Sequence, residues 1–125
     1  MFKKNIESFV AETLSNANEN AKANAKVLNA FFIAMAKNGF EIQSVWDGEE
    51  NEKVENGNRF QALDIVFGVD DSSVLFEKDD TRVNCSIVLD CTGIEVVSDY
   101  GIQASSEKHE EIEAMLTKIM DDLDK

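Results

Sequence analysis

The sequence predicts an α+β fold, with helices at both ends and an antiparallel sheet between them. Three observations carry that reading. The first 38 residues contain neither Gly nor Pro and are rich in Ala, a composition that favours helix. From Phe40 onward, apolar residues alternate in short runs separated by acidic or Gly-containing turns, which is the pattern of strands. Residues 105–124 return to helical spacing, with Ile112, Met115, Leu116, Ile119 and Leu123 on one face. The 125 residues, 43% of them apolar, suit a single domain built on one core.

Within residues 1–38, Phe2, Ile6, Phe9, Val10, Leu14, Ala17 and Ala21 keep helical spacing, and Leu28, Phe31, Phe32 and Met35 continue it. Asn38-Gly39 is a C-terminal stop. Between Ala25 and Ala36 only Lys26 and Asn29 are polar, so this stretch is expected to be buried on nearly all sides. One unbroken helix would be about 57 Å long, whereas a domain of this size is only about 36 Å across. Either the helix breaks at the Asn-rich Ser15–Asn20 patch and forms a helical hairpin, or it projects and pairs with a second copy. Both solutions leave apolar surface over, so a homodimer is expected. In it, Phe31, Phe32 and Met35 lie near the core and part of residues 1–24 at the interface.

The middle, residues 40–98, reads as a five-stranded antiparallel meander. Phe40, Ile42, Ser44 and Trp46 share one face of the first strand, which makes Trp46 a core residue. A long acidic loop, Asp47 to Asn58, follows. The second strand runs from Arg59 to Phe67, with Leu63, Ile65 and Phe67 on one face. The third is Ser73 to Glu77. The fourth alternates Val83, Cys85, Ile87 and Leu89, and the fifth is Ile94 to Ser98. Asp99-Tyr100-Gly101 ends the sheet. A C-terminal amphipathic helix, capped by Ser105 or Ser106, then packs on one sheet face.

Charge narrows the function. The chain carries 25 acids and 12 bases, a formal net charge of −13. Residues 1–38 are net +2, with three acids and five Lys; residues 39–125 are net −15, with 22 acids and seven bases. A direct nucleic-acid binder shows a basic footprint, so that class is excluded. In an up-and-down meander alternate turns share an end. The loop after the first strand, the turn after the third and the exit of the fifth would then gather Asp47, Glu49, Glu50, Glu52, Glu55, Glu77, Asp79, Asp80 and Asp99 beside Tyr100. Lys53 and Lys78 offset little of that charge. These ten residues are the candidate partner-binding surface.

Chemistry beyond binding finds no support. The acidic loop lacks the ligand order of a calcium-binding EF-hand loop. One His and two Cys are too few for a zinc site. Cys85 sits on an apolar face, where packing explains it better than nucleophilic catalysis with His109. No cofactor, metal or enzymatic activity is expected. The longest apolar run, Ala30–Ala36, is far short of a membrane span of about 20 residues. Met1-Phe2-Lys3-Lys4 precedes polar sequence rather than the apolar core of a leader. Together with the two Cys, this points to a reducing cytoplasm.

The expected function is that of a small acidic binding protein. Its negative surface would occupy the basic nucleic-acid-binding groove of a partner protein, as an inhibitor or decoy. Phage-type anti-defence proteins, including anti-CRISPR and anti-restriction proteins, use this logic; the likeness is one of class and charge, not of motif. The alternative is a dimeric cytoplasmic chaperone or immunity-type protein that holds its partner in apolar grooves.

Overall fold

The computed structural model describes residues 5–124. It has the expected α+β class: helices α1 (Ile6–Thr13) and α2 (Glu19–Lys37), a five-stranded antiparallel sheet with one inserted helix, and a C-terminal helix. The N-terminal region breaks between Thr13 and Glu19, which resolves the length conflict without a projecting helix. Asparagines open both helices. Asn5 accepts from the Ser8 amide at 2.8 Å and Asn18 from the Ala21 amide at 2.8 Å, satisfying amides that a helix start leaves unpaired. Phe9 and Leu14 are buried within the chain's own core, as are Leu28, Phe31, Phe32 and Met35. Ile6, Val10 and Ala17 of the same stretch are only partly buried. Phe2 lies outside the described residues.

The sheet order is β2-β1-β3-β4-β5, from strands β1 (Glu41–Trp46), β2 (Asn51–Lys53), β3 (Asp71–Lys78), β4 (Thr81–Val88) and β5 (Val97–Gln103). Three expectations are corrected. The segment Arg59–Phe67 is not a strand; Arg59–Val66 is helix α3. Asn58 caps it by accepting from the Phe60 and Gln61 amides at 3.0 and 3.2 Å, and Ala62, Leu63 and Val66 bury one helical face. A short strand inside the supposed acidic loop, β2, takes the vacated place and pairs with the outer side of β1. The last strand begins later than expected: Gly93–Val96 forms a 3-10 turn, and Asp99-Tyr100-Gly101 lies inside β5 instead of ending the sheet.

Trp46 is the third correction. A bulge between Ile42 and Ser44 shifts the register of β1 against β3. One extra residue inverts every side chain beyond it. Val45 therefore turns inward, fully buried, and Trp46 turns outward, 45% exposed.

The helices line the face formed by Ile42, Val45, Val74, Phe76, Val83, Cys85 and Ile87. Phe31 and Phe32 of α2 meet Phe76 edge-on, with ring centroids 5.9 and 5.8 Å away. The C-terminal helix α4 (Ser106–Leu123) starts at Ser105 as expected and buries Ile112, Leu116 and Ile119. No helix among the described residues is long and apolar enough to cross a membrane.

Candidate functional site

The altered topology redistributes the acidic residues. Strand β1 runs toward the turn Asp47–Glu50, and β3 starts at that same end with Asp71. The β3–β4 turn, Asp79-Asp80, lies at the opposite end, where Lys78 faces Thr81. The expected single cluster is therefore split. Asp47, Glu49 and Glu50 occupy one end, and Glu77, Asp79 and Asp80 the other. Glu52 and Glu55 line the edge formed by β2 and the 3-10 turn after it.

The Asp47 end gains acids that the sequence placed elsewhere. Asp70 and Asp71 open β3 and Asp90 follows β4; the Leu89 amide donates to the Asp70 carbonyl at 3.1 Å and holds the two segments together. Asp99 lies one row inward. The register Asn51–Trp46–Ser73–Ser86–Asp99 crosses all five strands. Seven carboxylates thus share this end, those of Asp47, Glu49, Glu50, Asp70, Asp71, Asp90 and Asp99. None of them takes part in an ion pair among the described residues.

Local bonds fix the shape of the turn at this end. One Asp47 carboxylate oxygen accepts from the Glu50 and Glu49 amides at 2.8 and 2.9 Å, and the Asp47 amide donates to the Glu50 carbonyl at 3.0 Å. Those amide bonds, the one from Glu50 foremost, hold the Asp47 carboxyl below its usual value of 3.8. Gly48 closes the turn at φ +101°, a conformation that side chains other than Gly resist. The loop after β4 is anchored from beneath. The buried Asn24 amide donates to the Cys91 carbonyl at 3.0 Å and accepts from the Gly93 amide at 3.1 Å. A shallow cleft of about 410 Å³ opens there, lined in part by Asn18, Asn24, Asp70, Asp90 and Cys91.

The opposite end is compensated. Arg82 donates to Glu77 at 3.0 Å and Lys108 to Asp80 at 3.4 Å. Lys78 donates to the Asn38 carbonyl at 3.2 Å and rests 5.7 Å from the Phe40 ring centre. Tyr100, expected in the turn that ends the sheet beside the acids, pairs with Cys85 and packs half-buried against the core. The exposed aromatic that sequence reasoning assigned to the core is Trp46.

Among the described residues no three His, Cys, Asp or Glu side chains converge as a metal site; the carboxylates are spread along an edge. Both cysteines are free. Burial pushes the Cys85 thiol up to about 12, so at neutral pH it is a protonated packing residue. Comparison with protein-family models, with curated proteins and with solved structures finds no match.

Proposed function

We propose that the protein is a small acidic inhibitor or decoy of the anti-CRISPR or anti-restriction kind, and that the Asp47 end is its contact surface. The observation that carries this reading is the group of seven carboxylates without ion-pair partners among the described residues, mounted at one end of a hydrogen-bonded sheet. Carboxylates held in fixed array imitate a phosphate row, and an Arg- or Lys-lined groove accepts them. The partner is then a basic protein that ordinarily binds nucleic acid. No catalysis is required of this chain, and the free thiols suit a cytoplasmic site of action. An apolar-groove chaperone is the weaker reading, since Trp46 is the one large apolar side chain exposed among the described residues.

The test is capture of partners from cell extract by the immobilised protein at low and high salt. Replacing Glu49, Glu50, Asp70, Asp71 and Asp90 with Lys converts attraction to repulsion and should weaken capture by more than about 100-fold. The control reverses Glu107, Glu110, Glu111, Asp121 and Asp122, which are exposed on α4. Loss in the first variant alone supports a localised surface. Equal loss in both means bulk charge, and capture insensitive to salt and to both variants rejects the reading.

A further inference from the structure

We propose that the uncovered face of the sheet is the docking surface for an arginine-bearing segment of the partner, with the Trp46 indole as the platform on which a guanidinium stacks. This rests on the Asp47 end being the contact surface and adds to it the chemistry of what is recognised.

The helices cover one face of the sheet and leave the other open. Along the open face, the residues beside Trp46 in its row are Asn51 on one side and Ser73, Ser86 and Asp99 on the other. Two serines are too small to shield an indole, and Leu75 and Val88 on the same face are already half-buried. Trp46 is therefore left 45% exposed at the last row before the acidic turn. Tryptophan carries a large apolar area and, with Tyr and Arg, is enriched at binding hot spots.

Charge selects the occupant. Asp71 and Asp99 stand on the same face as Trp46, and Asp47 follows it directly in the chain; the base nearest on that face is Lys53, which pairs with Ser44. A second copy of this chain, itself at −13, is repelled from such a surface; a cationic segment is drawn to it. Arginine fits better than lysine for two reasons. Its flat guanidinium stacks on an aromatic ring, and its fork grips a carboxylate with two parallel bonds. An indole beside carboxylates also presents the two features of a single-stranded nucleotide, a flat ring and an anion. Grooves that bind single strands are built to receive both.

The experiment compares octa-arginine with octa-lysine at low salt, by calorimetry and by emission of the single Trp. Octa-arginine should bind about three- to thirtyfold more tightly, the range of a stacked cation on an exposed to a desolvated ring, and should shift the Trp46 emission. Trp46→Ala should remove that preference while octa-lysine binding stays unchanged; Trp46→Phe should keep part of it, and far-UV dichroism confirms that both variants fold. If the two peptides bind alike and Trp46→Ala alters neither, the platform is overturned and the acidic end stands alone. Equal weakening of both peptides by Trp46→Ala also overturns the arginine assignment. If neither peptide binds at low salt, the acidic contact surface falls with it.

Discussion

The two ends of the sheet are both acidic in sequence, yet their surroundings differ. At the Asp79 end, Glu77 and Asp80 meet Arg82 and Lys108, and Lys78 folds back over Phe40. At the Asp47 end, the polar bonds of the acidic turn run to backbone amides, and no ion pair forms among the described residues. Counting charges along the chain does not separate these situations. What separates them is topology, because Lys108 reaches Asp80 from α4, 28 residues away. An acidic turn thus becomes a candidate contact surface only where the fold pairs no base with it.

The largest expected effect tests whether the Asp47 end depends on its buried support. Asn24→Ala leaves the Cys91 carbonyl and the Gly93 amide without their partner. Such a loss costs about 1–3 kcal/mol, to be read as a lower denaturant midpoint, and should loosen the loop that carries Asp90. If stability and cation binding are both unchanged, that loop is held by something other than Asn24.

The comparison can also be erased from the other side. Replacing Lys78, Arg82 and Lys108 with Gln removes the compensation at the Asp79 end. Exposed ion pairs are weak, so stability should fall by less than about 1 kcal/mol per pair. Octa-lysine should nevertheless bind more tightly at low salt, by about three- to tenfold, and lose the gain as salt screens it. No gain would mean that ion pairing does not distinguish the ends.

A smaller effect concerns Ser72, whose buried hydroxyl near the start of β3 has no hydrogen-bond partner. Ser72→Ala should raise stability by about 1 kcal/mol, measured by chemical denaturation, and leave cation binding as it was. Destabilisation instead would show that the hydroxyl has a partner in solution.

The smallest effect is local and pH-dependent. The Asp47 carboxyl titrates below 3.8 in the folded chain, so its contribution is present above the unfolded value and lost as pH falls through the lower folded one. Amide-exchange protection at Glu49 and Glu50 should persist as pH drops through the ordinary carboxylate range and fail only below it. Loss of protection at the usual Asp value would contradict the turn geometry.

The long helices were legible because α2 and α4 sustain their apolar spacing over 19 and 18 residues. The break before α2 was legible from Asn18 and its neighbours, which compete for backbone bonds. Helix α3 was not, since in eight residues Leu63, Ile65 and Phe67 fit a strand as well as a helix. Asn58 followed by Gln61 was the available signal, a cap residue with an amide three positions on. Misreading that one element put the Asp79-Asp80 turn at the wrong end: α3 carries the chain back, so β3 pairs antiparallel with β1, as β2 does, and every later turn changes ends. Composition gave the acidity of the surface; only the pairing of β1 with both β2 and β3 gave its place. Trp46 was misplaced because the β1 bulge leaves no mark in an apolar–polar pattern, and Tyr100 because β5 begins and ends later than the alternation suggests.

The β1 bulge also bears on how this strand tolerates a change of length. Removing Gln43 by a single-codon deletion would join Ile42 and Ser44 into an unbroken ladder against Phe76 and Leu75, and would leave Val45 inside and Trp46 outside. The faces of β1 are set by its pairing with β3, and the extra residue is absorbed where it stands. The outward position of the indole is therefore insensitive to the loss of that one codon, whereas any insertion or deletion between Ser44 and Trp46 would carry it to the other side of the sheet.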